Sequence, residues 1–239
     1  SEMGGPRAGP DFQNLHRNKR SLTLNLKSDD GMKIFRQLAN KADVIVENFR
    51  PDVKNRLGID YDSLAKTNQG LVYASISGFG QDGPYRSRPG VDQIIQGMSG
   101  LMSVTGAPGM GPMRVGVAIS DTSAGMFLGQ GILLALLHRE RTGEGQWVHT
   151  SLLEAMLSKL DFQGARYTMD GEVPTQQGND HPTQVPMGTF EAQDGYVNIA
   201  AFGSHMWQRF CDALGAEALF EHPDYQRVSE RVGKREQIK

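Results

Sequence analysis

The apolar positions along the chain change their spacing several times, and each spacing predicts a different element. Leu22, Leu24 and Leu26 alternate with polar residues, which predicts a half-buried strand. From Asp29 to Ala42 the apolar positions recur every three or four residues, which predicts a helix. The two patterns then repeat and predict strands at 44–46 and 71–77 and helices at 53–57 and 61–66. Strands that alternate with helices favour a parallel α/β sheet.

The second half of the chain begins with a long apolar segment. Residues 121–141 are rich in Met, Leu, Ala and Ile and end before Gly143, which predicts a long, largely buried helix. A strand at 145–150 and a helix at 152–167 are predicted to follow, and then residues 170–187, rich in Gly, Pro and polar side chains, form a linker or active-site loop. Beyond it, Asp194 and Gly195 mark the turn of a predicted hairpin, and residues 205–214 read as a helix.

Composition narrows the class of protein. With 239 residues, 38% of them hydrophobic and 22% charged, the chain is expected to fold. The net charge of −2 offers no general attraction to nucleic acid or to an anionic membrane, so neither is expected as a partner. The single cysteine, Cys211, fits a reducing, cytoplasmic setting. The six histidines show no zinc-ligand spacing, so no metal site is predicted.

The N-terminal residues and the longest apolar run indicate whether the chain carries a signal peptide or a membrane span. Residues 1–10 lack the charged and apolar regions of a signal peptide and are predicted to form a loop. The longest uninterrupted apolar run, Gly131–Leu137, is too short to cross a bilayer. The sequence therefore predicts a water-soluble protein.

Two features could carry chemistry. The residues from Gly78 to Gly83 match the dinucleotide spacing G-x-G-x-x-G, but Pro84 and Pro89 continue the segment as a loop where a Rossmann motif would begin a helix. Asp121 stands at the start of the long helix. It is either an N-cap residue or, if a pocket opens there, a carboxylate nucleophile.

Five blocks in fixed order carry a resemblance to a known family. They are N-K-R-S-L-T-L-N-L-K at 18–27, A-D-V-I-V-E-N-F-R-P at 42–51, S-I-S-G-F-G-Q-D-G-P-Y at 75–85, D-T-S-A-G at 121–125 and R-T-G-E-G-Q at 141–146. The chain resembles the family III coenzyme A transferases, also called the CaiB/BaiF family, whose relatives include formyl-CoA transferases and α-methylacyl-CoA racemases.

The resemblance implies an α/β fold with three parts. These are a Rossmann-like, mainly parallel sheet domain that binds coenzyme A at 1–168, a linker or active-site loop at 169–187 and part of a smaller α+β domain at 188–239. Family members extend beyond both ends, so the chain is expected to be an internal piece that lacks the family's N-terminal strand. An interlocked homodimer is also expected.

The family resemblance assigns roles to individual residues. Asp121 matches the nucleophile that attacks an acyl-CoA thioester, after which coenzyme A passes to a small carboxylic acid through an aspartyl intermediate. The positions that match coenzyme A contacts are Leu24, Lys27, Asn48, Phe49, Arg56 and Leu57. Lys27 and Arg56 can pair with phosphate, and Leu24 and Phe49 can pack near the adenine.

Two alternatives stay open. Racemases and epimerases of the family pair the aspartate with a histidine before the Asp of a G-x-D segment, but here that position is Val91, which cannot exchange a proton. A chain that lacks family segments could instead be a non-catalytic module that binds acyl-CoA or serves a structural role. Transferase is the preferred prediction.

Overall fold

The computed structural model describes residues 9–238. The strands are β1 (Val44–Glu47), β2 (Val72–Ser77), β3 (Trp147–Ser151), β4 (Met187–Ala192) and β5 (Gly195–Ala200). The helices of the first 180 residues are α1 (Pro10–Leu15), α2 (Asp29–Ala39), α3 (Pro51–Leu57), α4 (Tyr61–Ala65), α5 (Asp92–Met98), α6 (Leu101–Val104), α7 (Ile119–Thr142), α8 (Leu152–Lys159) and α9 (Asp161–Asp170). Those that follow the hairpin are α10 (Ser204–Leu214), α11 (Glu217–Glu221), α12 (Val228–Gly233) and α13 (Arg235–Ile238), with a 3₁₀ turn at Pro223–Tyr225.

A parallel sheet organises the first part of the chain. β2 lies in the middle, with Val72 opposite Val44 of β1 and Tyr73 opposite Trp147 of β3. The first four residues of β2 are fully buried, as is usual for a central parallel strand covered on both faces. The predicted mixed α/β fold with a parallel sheet is confirmed.

The strand predicted at Leu22, Leu24 and Leu26 is wrong. The segment has no regular structure and pairs with no strand of residues 9–238, and Leu22 is 65% exposed. Its alternation reflects an extended chain that half-buries Leu24 and Leu26 before the turn in which Ser28 caps α2. The loop predicted for residues 1–10 lies mostly outside the described residues, and Pro10 already begins α1.

Helix α7 forms over almost the predicted range, but the prediction that it is largely buried is wrong. It packs against β2, β3 and α8 through small residues such as Ala124 and Ala135. Three leucines on the remaining surface, Leu133, Leu134 and Leu137, are each at least half exposed. By length and composition alone α7 could cross a membrane, a test that core helices of soluble proteins also pass. The length and composition of α7 as a whole therefore differ from the prediction made from Gly131–Leu137 alone, which is too short to cross a bilayer.

The helix predicted at 152–167 is two helices. α8 ends before Leu160, and Asp161 has φ 48°, a left-handed conformation that is unfavourable for a residue with a Cβ and changes the direction of the chain. The hairpin of β4 and β5 forms as predicted, with Ala192 paired with Gly195. The helix predicted at 205–214 is α10.

A small separate core lies in the last part of the chain. Trp207, Cys211 and Tyr225 are buried against one another, and burial raises the pKa of the Cys211 thiol. Arg231, fully buried, donates hydrogen bonds to the carbonyl oxygens of Val185 at 2.9 Å and Tyr225 at 2.7 Å. These contacts connect the helices after the hairpin to the segment before it.

Candidate active site

Asp121 lies in the first turn of α7. The helix begins at Ile119 with Ala118 as its N-cap, so Asp121 is the third helical residue and the interpretation of Asp121 as the N-cap is wrong. Its carboxylate accepts no hydrogen bond from residues 9–238 and is exposed. A carboxylate without a structural partner is free to react with a ligand.

Asp92, on α5, holds the start of α7 in place. Its Oδ1 accepts hydrogen bonds from the Ser120 backbone N–H at 2.9 Å and from the Ser120 hydroxyl at 2.8 Å. Its Oδ2 accepts a hydrogen bond from the Gln96 amide at 2.8 Å and lies 3.6 Å from Arg114. Asp92 thus performs, from 28 residues away, the capping that an N-cap side chain usually provides.

The two aspartates next to each other have opposite pKa shifts. Although Asp121 is exposed, the surrounding protein removes part of its hydration; this partial desolvation raises its pKa, and the negative charge of Asp92 raises it further. Burial would also raise the pKa of Asp92, but the hydrogen bonds from Ser120 and Gln96 and the charge of Arg114 outweigh it and lower that pKa. Asp92 therefore stays ionised in its structural role, while Asp121 is the more basic and more nucleophilic carboxylate.

A pocket of about 300 Å³ opens at Asp121. Its walls combine apolar side chains with polar groups, and the lining residues are Asn48, Ile76, Ser77, Gly78, Gly90, Val91, Asp121 and Leu152. They come from the ends of β1 and β2, the loop that follows β2 and the starts of α7 and α8. This is the carboxyl edge of a parallel sheet, where open α/β folds place their ligands.

The loop from Gly78 to Gly90 closes on itself beside this pocket. A Cβ on Gly78 would lie 2.5 Å from the Cα of Gly90, so neither residue can carry a side chain without moving the backbone. The segment is a loop throughout, and no helix begins before Asp92. Within this segment Gly78 is needed because the backbone passes close to Gly90. The helix that follows the glycines in a dinucleotide-binding motif is missing here.

The structure brings only one of the predicted coenzyme A contacts, Asn48, to the pocket of Asp121. Phe49 is the next residue, and its N–H donates to Glu47 at 2.7 Å. Arg56 is exposed on α3, 3.6 Å from Asp52, and Leu57 is the half-buried last residue of that helix. Leu24 is half-buried in the segment before α2, where Lys27 is exposed. The coenzyme A contacts stay predictions.

Sequence reasoning missed the role of Asp92. In the sequence, Asp92 stands out only as the Asp of the Gly90–Asp92 segment, and it precedes Ser120 by 28 positions. The signal in the sequence is that Asp92 ends a G-x-D segment and begins a helix. This position does not predict that Asp92 contacts Ser120. Among residues 9–238, no group of three His, Cys, Asp or Glu side chains is placed to hold a metal ion.

Comparison with known proteins identifies the family to which the chain belongs. Residues 3–239 match the model of the CoA-transferase family III. The chain belongs to that family. Relatives that it resembles include the acetyl-CoA:oxalate CoA-transferase of Acetobacter aceti, 40% identical over 229 residues, which are 95% of this chain and 59% of the relative. The succinyl-CoA:mesaconate CoA-transferase of Haloarcula marismortui is 40% identical over 233 residues, 95% of this chain and 58% of the relative.

Solved structures of the family agree with the fold. A CaiB/BaiF family protein from Brucella suis superposes with a TM-score of 0.77 and 37% sequence identity, covering 92% of this chain and 58% of the other. The family III chain described here therefore spans somewhat less than 60% of the length of these relatives. Family membership confirms the resemblance that the five sequence blocks indicated.

Proposed function

We propose that the protein transfers coenzyme A from an acyl-CoA to a free carboxylic acid, with Asp121 as the covalent carboxylate. The observation that carries the proposal is the position of Asp121. It lies in a pocket at the start of α7, its carboxylate has no hydrogen-bond partner among residues 9–238, and its pKa is raised. Membership of the CoA-transferase family III supports the same reaction.

The proposed reaction has four nucleophilic steps that balance without any redox partner. An Asp121 oxygen attacks the thioester carbonyl, the C–S bond breaks, and coenzyme A leaves as a thiolate, which gives a mixed anhydride. The thiolate attacks the aspartyl carbonyl and releases the donor acid, which leaves an aspartyl-CoA thioester. The incoming carboxylate then displaces the thiolate to form a new anhydride. Finally the thiolate attacks the new acyl group, and the Asp121 carboxylate is regenerated.

The pocket suits the reacting end of the substrate. Its volume of about 300 Å³ is at the lower limit of small-molecule sites, roughly 300–1,000 Å³. Ile76 and Leu152 provide apolar walls for an acyl group, and Asn48 and Ser77 provide polar groups near the carbonyl. The nucleotide would then lie outside the pocket, and the family resemblance assigns its phosphates to Lys27 and Arg56, both of which are exposed.

The names of the two relatives described above guide the choice of acids to test. Their names give acetyl-CoA and succinyl-CoA as donors and oxalate and mesaconate as acceptors, and both acceptors are dicarboxylic acids. We propose that the acceptor here is a short dicarboxylic acid. Val91, which lines the pocket, offers no second base, and no histidine is among the lining residues, so nothing at this site favours racemisation.

The experiment is intact-protein mass spectrometry after incubation with succinyl-CoA and hydroxylamine, which traps an activated aspartate as a hydroxamate. We expect the hydroxamate in the wild type and in Asp170→Ala, an exposed aspartate at the end of α9, and none in Asp121→Ala. If a panel of acyl-CoA thioesters leaves the folded wild type unmodified, the non-catalytic acyl-CoA-binding or structural module becomes the better interpretation. Deuterium exchange at the α-carbon without acid-dependent transfer would instead favour a racemase.

The proposal includes a homodimer in the cytoplasm. The dimer is what the family resemblance implies, and the single cysteine, which is buried, fits a reducing compartment. Light scattering at micromolar concentration tests the assembly, and a compact monomer would contradict it.

A further inference from the structure

A buried lysine is linked through hydrogen bonds to residues at the pocket of Asp121. Lys54, on α3, is 3% exposed, and its ammonium group donates to three acceptors: Glu47 Oε1 at 3.0 Å, Ser75 Oγ at 2.9 Å and Gln81 Oε1 at 2.5 Å. The centroid of the Trp147 ring lies 4.7 Å from the same nitrogen. A lysine ammonium has three N–H donors, so all of them are used and none is left for a phosphate.

One side of this network reaches the end of β1. Glu47 is buried and uses its second oxygen, Oε2, to accept the backbone N–H of Phe49 at 2.7 Å. Phe49 follows Asn48, which lines the pocket of Asp121. Lys54 therefore fixes the backbone that presents Asn48, through a single carboxylate.

The other side of the network reaches the loop after β2. Gln81, which accepts from Lys54, donates to the Ser77 hydroxyl at 3.4 Å, and the same hydroxyl accepts the Gly80 N–H at 3.2 Å. Ser77 and Gly78 line the pocket. Lys54 thus connects to two walls of the pocket that are separate in sequence, although it does not touch the pocket itself.

We propose that Lys54 is a positioning residue that holds these two walls, residues 47–50 and residues 77–81, at the spacing required for transfer at Asp121. This inference rests on the proposed CoA transfer for its effect on turnover. A buried ion pair adds little net stability compared with apolar replacements, whereas a fixed geometry between reacting groups has a large effect on rate. Lys54 is therefore expected to matter more for turnover than for folding.

The main test uses the double variant Glu47→Gln and Lys54→Met, which removes both buried charges together, so that neither is left unpaired. We expect kcat to fall by roughly 10- to 100-fold, because misplacement of about 1 Å costs about that much, while KM for the acyl-CoA changes far less. Lys66→Met, an exposed lysine after α4, is the matched control and should keep wild-type turnover.

Amide hydrogen exchange provides a measurement that does not depend on activity. In the double variant, exchange should rise in residues 47–50 and 77–83, and the helices after the hairpin should be unchanged. Gln81→Leu breaks only the loop connection, so its exchange should rise in 77–83 alone. Unchanged exchange in both walls of the double variant would overturn the proposal, as would a loss of turnover that only follows the loss of folded protein. A wild type without transfer activity would refute the proposed function, and exchange would still decide whether Lys54 holds the walls.

Discussion

The replacement Asp92→Ala should destabilise the protein measurably, because it removes the cap of α7. The Ser120 N–H loses its acceptor, which costs about 1 kcal/mol for a helix N-terminus. The Ser120 hydroxyl is fully buried and loses the Asp92 oxygen, which costs roughly 1–3 kcal/mol. Gln96 keeps its bond to the Val117 carbonyl at 3.2 Å, so it adds little. The sum is about 2–4 kcal/mol.

Thermal unfolding followed by circular dichroism measures this loss. For a chain of this size we expect Tm to fall by roughly 5–15 °C. Asp82→Ala, which changes an exposed aspartate of the neighbouring loop, should leave Tm near the wild-type value. Equal Tm values for the two variants would refute the conclusion that Asp92 holds the start of α7.

The same residue gives a pH dependence with a defined sign. The pKa of Asp92 is lowered below 3.8 in the folded state, so its stabilisation is fully present at neutral pH. The difference in stability between wild type and Asp92→Ala should therefore shrink as the pH falls below 3.8 and through the folded-state pKa. Asp92→Asn keeps an acceptor but removes the charge that raises the pKa of Asp121, so the acidic limb of turnover should move to lower pH.

Two further replacements test the packing that shapes and supports the chain. Gly78→Ala should destabilise by roughly 1–3 kcal/mol in urea unfolding and reduce transfer, because its Cβ would lie 2.5 Å from the Gly90 Cα. Gly116→Ala is the control, because a Cβ there meets no other atom within 4 Å. Equal urea midpoints for the two variants would contradict the close approach of Gly78 to Gly90. Arg231→Met should cost about 2–4 kcal/mol, because two carbonyl oxygens lose a buried donor. Arg209 is exposed, so Arg209→Met should leave the free energy of unfolding near the wild-type value. Equal urea midpoints for the two variants would show that Arg231 adds no stability.

Much of the secondary structure followed from local patterns. The strands β1, β2 and β3, the hairpin and α10 agree with their predictions, because each depends on nearby apolar spacing or on turn residues. Asp121 was found through its sequence block, and the pocket at its position agrees with the proposed role. The domain boundaries and the coenzyme A contacts stay predictions.

Other features were decided by contacts between distant parts of the chain. Leu22, Leu24 and Leu26 alternate like a strand, but a strand needs a neighbour to bond with, and residues 9–238 provide none. The exposed leucines of α7 show the same limit, since an apolar segment is buried only where another element covers it. The division of the helix predicted at 152–167 depends on a backbone conformation at Asp161 that its sequence does not favour.

Local sequence patterns were enough to identify the family and the alternation of strands and helices, and they marked Asp121 as the carboxylate proposed to react. The support of that carboxylate depends on contacts between distant parts of the chain. Asp92 reaches Ser120 across 28 residues, and Lys54 joins Glu47 to Gln81. These partners meet because the parallel sheet brings the ends of its strands and the start of α7 to one edge. Spacing along the chain records local periodicity and turns, whereas such long-range hydrogen bonds depend on how the elements pack.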